Sequence, residues 1–301
     1  MISALFGALF VNPDDVRVAH VAEELGFDSI WVAGHMLWPN PTAEVISSLG
    51  YLAAKTSRVK LGSAILLLPL YNALSVAKSV AMLQELSDGR VLLGIGIGGE
   101  FAPEFRAAGV DRARRGRISN DQLSLMRHLW RNPGRPIHAG LHEVTADAPP
   151  LYPRTQSPAP ILIGGRTTSA MRRAARLGDG ILPYFVTPER YAELKTEVCS
   201  LRADTGRDHE PFHFATAVFV SVARTTEEGR ANAVDYFRWQ YDMDGEPLVD
   251  RYAIYGTPEH CAERYRQYID AGVQHFVNIP VGPEPVKEQL ARIMEVADGF
   301  P

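Results

Sequence analysis

Three stretches of the chain carry the spacing of a chemical motif, and each stands in the wrong context for that chemistry. Gly94, Gly96 and Gly99 follow an apolar run with the GxGxxG spacing of a dinucleotide-binding turn. Such a turn needs a helix opening at its last glycine and an acid about 20 residues on, at the end of the next strand. Here Phe101, Ala102 and Pro103 follow, and Asp121, at about that distance, falls inside a helical pattern. His209-Glu210-x-x-His213 has the spacing of a zinc protease, whose two imidazoles share a face only on a helix. Pro211 sits inside it and a β-type run begins at Phe212, so no metal is expected. His138-x3-His142 lies beside Gly140 in a proline-rich stretch and reads as loop histidines. What survives is the glycine itself, which lets a ligand approach backbone closely at the end of a strand.

Those strand ends belong to a regular pattern. Short apolar runs at 5–11, 28–33, 59–68, 91–97, 161–163, 180–184, 212–222 and 274–279 alternate with amphipathic segments that start at Pro, Asp or Thr and stop at Gly. Runs apolar almost throughout are expected of parallel strands covered on both faces. Eight such strands predict a closed (β/α)8 barrel in one domain, 1–301, with an open doubly wound sheet as the alternative. Residues 132–160 carry seven prolines and read as an inserted hairpin or lid; 240–256 is a second irregular insertion. Both are expected at the C-terminal face, where the chemistry of such barrels gathers. The strand ends there offer Trp31 to His35 with Trp38, Gly62 to Ala64, Gly96 to Glu100, and Gly164 to Thr168 opening a helix. Amides at that helix start, with Arg166, suit a phosphate.

A formal charge of −4 gives no support for a nucleic-acid or anionic-membrane partner. The longest apolar runs are far short of a membrane span. The opening MISALFGALFVNPDD lacks a basic region and reads as a buried strand rather than a leader. Cys199 and Cys261 stand alone, so a reducing, cytoplasmic setting is the expectation.

Six stretches in order resemble the bacterial luciferase-like superfamily of flavin- and deazaflavin-dependent oxidoreductases. They are AEELGFDSIWVAGH (22–35), RVKLGSAILLLP (58–69), LQELSDGRVLLGIGIGGEFAPEFRAAGV (83–110), RRGR (114–117), ILIGGRTTSAMRRAARLGDGILP (161–183) and YGTPEHCAERYRQYIDAGVQHFVN (255–278). The resemblance implies hydride transfer between coenzyme F-420 and a small organic substrate. FMN with oxygen, in a monooxygenase, is the alternative, and a flavin-binding protein without turnover is another. It also implies a homodimer. By resemblance, Ser63 and Ala64 fall where a non-prolyl cis peptide bends around the ring. Gly96, Ile97 and Gly98 pass the ring system, and Gly164, Gly165, Arg166 and Thr167 receive the phosphate side. Gly180 is weighed equally as a cofactor contact and a tight turn. His35 is the first choice for acid–base work, where sugar-phosphate dehydrogenases of this superfamily place an Asp-His pair; here Gly34 leaves the pair incomplete. Glu100 stands one residue past the superfamily's acid, and Trp38 and Phe101 are candidate substrate contacts.

Overall fold

The computed structural model describes residues 4–154 and 157–300; Met1, Ile2, Ser3, Thr155, Gln156 and Pro301 lie outside it, among them two residues of the 132–160 insertion. The chain begins β1 (Leu5–Phe10), α1 (Pro13–Val18), α2 (Val21–Glu24), β2 (Ser29–Val32), α3 (Val45–Lys55), β3 (Lys60–Leu67), α4 (Ala73–Leu86) and β4 (Val91–Gly96). Helices α5 (Ala102–Ala107) and α6 (Arg115–Arg131) follow, then a hairpin of β5 (Ile137–Ala139) and β6 (His142–Val144). Alternation resumes with β7 (Ile161–Gly164), α7 (Thr168–Leu177), β8 (Gly180–Leu182), α8 (Pro188–Asp204), β9 (His213–Val222) and α9 (Thr226–Tyr241). The last elements are α10 (Glu246–Tyr252), β10 (Ala253–Gly256), α11 (Pro258–Asp270), β11 (His275–Pro280) and α12 (Val286–Ala297).

The strands β1-β2-β3-β4-β7-β8-β9-β11 form a closed parallel barrel, with β11 returning to β1 and β8 meeting β9. It is the expected (β/α)8 fold. Because both faces are buried, alternate residues of each strand serve two cores. Phe6, Phe10, Ile30, Val32 and Leu61 pack outward against the helices. Leu9, Trp31, Leu92, Leu162 and Val277 fill the interior. Trp31, fully buried, fits because its neighbours lack side chains: a Cβ on Gly62 would lie 2.0 Å from its ring, and one on Gly7 2.5 Å from its Nε1. Its indole N–H donates to Ser29 Oγ at 2.7 Å, which also lies 2.7 Å from His275 Nε2, so the polar atoms of this plug satisfy one another. Threonines at 167, 187, 225 and 257 each cap the helix that follows a strand, fixing where that strand's loop ends.

The two insertions fare differently. The described residues of the 132–160 segment form the hairpin, one of the two forms expected. It packs along the outside of α6, and Gln84 on α4 donates to Ser157 O at 3.0 Å before the chain re-enters at the start of β7. The 240–256 segment is more regular than its sequence suggests: α10 and β10 are too short to leave a periodic signature. Strand β10 lies beside the end of β9, with Ala253 opposite Phe219, where the three-residue β8 has already stopped. No helix among the described residues is long and apolar enough to cross a membrane.

Candidate active site

Residues in or just past every barrel strand line a depression of about 1070 Å³, open solvent at its mouth included, at the C-terminal ends of the strands. Its β3–β4–β7 side is almost bare backbone. Strands β3 and β4 slip register between Ser63 and Leu66, and the cis peptide joins Ala64 to Ile65, one residue later than expected. Ile65 thereby projects where a Cβ on Gly96 would lie 2.0 Å, and one on Gly164 2.8 Å, from its Cδ1. Gly98 and Gly165, at φ +58° and +108°, turn the chain away beyond the strand ends in conformations that favour glycine. The result is a strip with Ala64, Ile65, Ile97 and Leu67 as its apolar lining, backed by glycine at 96 and 164.

His35 stands three residues beyond β2. Its imidazole stacks on Trp38, centroids 4.2 Å apart, and its Nδ1 lies 3.2 Å from both carboxylate oxygens of Glu104 on α5. Glu104 has no exposed side-chain surface. With Nδ1–H donating to that carboxylate, Nε2 carries the lone pair and is left for a ligand. Gly34 cannot be the carboxylate its resemblance calls for, because a Cβ there would sit 1.9 Å from Ala43 O. The acid arrives from another element instead. Sequence reading missed Glu104; its only signal was an acid in the first turn of a short helix behind a proline.

The remaining candidates divide. His35, Ala64, Gly96, Ile97, Gly98, Glu100, Gly164 and Gly165 line the depression together. Glu100 accepts a hydrogen bond from the Tyr184 hydroxyl, and burial with the neighbouring Glu100 charge pushes the phenol well above its ordinary range, so it stays a neutral donor. Trp38 and Phe101 stand behind His35 rather than in the lining, ring to ring at 5.6 Å. Arg166 sits at the rim, donating to Tyr184 O at 3.2 Å with its guanidinium over the Tyr184 and Phe185 rings. Thr167 caps α7 by accepting from Ala170 N. Two candidates belong elsewhere. Ser63 is buried and donates to Gly94 O at 2.8 Å, pointing away from the depression. Gly180 opens β8 opposite His213, at the other end of the barrel, and its lack of a side chain makes room for His213. His209 lies in a turn and His213 begins β9, so the zinc spacing never forms a shared face.

The family model for luciferase-like monooxygenases matches residues 13–275. The chain belongs to the luciferase-like family. Among curated luciferase-like relatives, an F420-dependent glucose-6-phosphate dehydrogenase of Amycolatopsis mediterranei (strain U-32) is 26% identical, covering 88% of this chain and 87% of that protein. A 5,10-methylenetetrahydromethanopterin reductase of Methanolobus tindarius is 24% identical over 94% of this chain and 96% of its own. Among solved structures, an F420-dependent secondary alcohol dehydrogenase with an F420-acetone adduct superposes with a TM-score of 0.85 at 19% identity, over 98% of both chains. The FMN complex of the oxygenating constituent of 3,6-diketocamphane monooxygenase from Pseudomonas putida gives 0.80 at 18%, over 99% of both. At these identities the structural likeness speaks for the fold.

Proposed function

We propose that this luciferase-like protein is an oxidoreductase that moves a hydride between coenzyme F-420 and a small organic substrate. The observation that carries the reading is the pairing, in one depression, of an apolar, glycine-backed strip along β3, β4 and β7 with the His35–Glu104 pair beside it. Curated relatives that share most of this chain's length are named as F420-dependent. The strip fits a planar ring, and Arg166 with the capped N-terminus of α7 fits an anionic tail. When bound, the coenzyme supplies two-electron chemistry, in which an alcohol and oxidised coenzyme exchange with a carbonyl and reduced coenzyme.

The chain's own residues then handle the proton. As an alcohol is oxidised, its hydroxyl proton passes to His35 Nε2, and Glu104 holds the ring in the tautomer that can accept it and offsets the positive charge formed. In the reverse direction the same nitrogen returns the proton to the nascent alkoxide. Trp38 keeps the imidazole plane fixed by stacking. Titration of purified protein with coenzyme F-420 and with FMN, read by fluorescence, tests the cofactor. Tight F-420 and weak FMN binding is expected, and the reverse order sinks the reading in favour of a monooxygenase. His35→Ala is expected to lower turnover by about 10²–10⁴-fold with F-420 affinity retained; unchanged turnover would remove His35 from the chemistry.

A further inference from the structure

The barrel wall that faces the glycine strip is built by β9 and the end of the helix that follows it. Counting round the barrel, β9 lies across from β3, and the helix that follows β9 ends in Gln240 and Tyr241, both lining the depression. This end of α9 is fastened to the loop that carries His35. Trp38 Nε1 donates to Gln240 O at 3.2 Å, and Asn40 Nδ2 donates to Trp239 O at 2.5 Å. The backbone of Gln240 is therefore occupied, but its side chain is not. Gln240 is only 6% exposed, and its Oε1 is buried with no hydrogen-bond partner. Buried amides without partners are rare and costly in folded proteins, so one retained in a ligand-sized depression points to a ligand atom.

The charges around it limit what that ligand is. Neither lysine nor arginine is among the residues lining the depression, whereas Glu100 lines it and Glu104 lies behind His35. Arg166, beside Tyr184 and over the Tyr184 and Phe185 rings, is the cation already assigned to the coenzyme's anionic tail. The rest of this side is apolar, with Leu182, Ala217 and Ile279 reaching in from β8, β9 and β11. A phosphate or carboxylate entering here would face acids without a matching cation.

We propose that the Gln240 amide reads the oxygen of an uncharged, largely apolar substrate whose reacting end enters between Gln240 and His35. An amide suits such a substrate in both oxidation states, since its oxygen accepts from a hydroxyl and its NH₂ donates to a carbonyl. The proposal rests on the hydride-transfer reading above and names the kind of molecule that reading requires.

Binding decides it without turnover. Isopropanol, cyclohexanol and borneol, and cyclohexyl phosphate as the anionic counterpart, are titrated by calorimetry into the protein with and without coenzyme F-420. At least one of the alcohols should bind wild type, with cyclohexyl phosphate at least about tenfold weaker than cyclohexanol. Gln240→Leu should weaken the alcohol at least about tenfold, as expected for a buried hydrogen-bonding site left unpaired, while F-420 fluorescence titration gives an unchanged Kd. Gln240→Met, closer in shape, should behave the same way and covers the case in which the leucine variant does not fold. Binding of none of the alcohols, equal or tighter binding of the phosphate, or unchanged alcohol affinity in the variants would each overturn the proposal. A changed F-420 Kd with unchanged alcohol affinity would assign the amide to the coenzyme and overturn it too. Failure of wild type to bind F-420 would sink the cofactor reading, and the alcohol titration of the protein alone would still decide the role of Gln240.

Discussion

His35 is held on three sides: its backbone N–H donates to Thr42 Oγ1 at 3.2 Å, its Nδ1 faces Glu104, and its ring lies on Trp38. A side chain so constrained pays its ordering cost on folding and meets its ligand with one nitrogen already directed. If the buried carboxylate positions that nitrogen, Glu104→Gln, which keeps the shape and removes the charge, should lower turnover by about 10–100-fold with F-420 affinity unchanged. Steady-state rates beside the fluorescence titration check this, and equal rates would reduce Glu104 to packing. His35 could be chosen from the sequence because it stands just past a strand end. Glu104 could not, because no spacing says which of several acids in a loop folds back under a histidine. Of the two readings of Gly180, the turn is the one its place allows: it stands at the start of a parallel strand, and strand direction alone puts that end opposite the mouth.

At the scale of elements, the β2–α3 connection shows how a local fit decides a chemical arrangement. Restoring the Asp-His sequence with Gly34→Asp should not restore a working pair, because the new Cβ would strike the Ala43 carbonyl, which is backbone and cannot swing aside. Overpacking of this kind costs about 1–3 kcal/mol, so a melting temperature lower by about 2–5 °C is expected for a chain of this length. Differential scanning calorimetry measures it, and an unshifted transition would show that the loop yields. The barrel strands were legible because residues such as Leu61 and Leu92 face two different cores and leave few polar positions between them. The 240–256 insertion was not. Its helix and strand have seven and four residues, and their place is set by docking onto β9 and α9 rather than by any pattern of their own.

At the scale of the whole molecule, the barrel encloses a titratable group. Burial lowers the His275 imidazole from 6.5 to about 3, and burial lowers His213 in the same direction. In the unfolded chain His275 takes up a proton near pH 6.5, and in the folded barrel only near pH 3. The resulting stability is therefore fully present above about pH 6.5 and is lost as the pH falls toward 3, at about 1.4 kcal/mol per pH unit for this residue. Urea unfolding at stepped pH should show that slope, and His275→Gln should flatten it even though it loosens the Trp31–Ser29 plug. An equal slope in the variant would place the acid sensitivity elsewhere.

Strand β10 has a consequence for how the molecule behaves in company. Strand β9 runs for ten residues, but β8 pairs with it only at His213 and Phe214, which would leave the far half of one edge with open amides and carbonyls. An apolar edge of that length is a template on which a second chain can add a strand and begin to aggregate. By lying against Phe219 to Val222, β10 takes up those groups itself and leaves outward an edge only four residues long. The same irregular insertion that brings Gln240 and Tyr241 to the mouth thus also keeps the barrel from recruiting its neighbours.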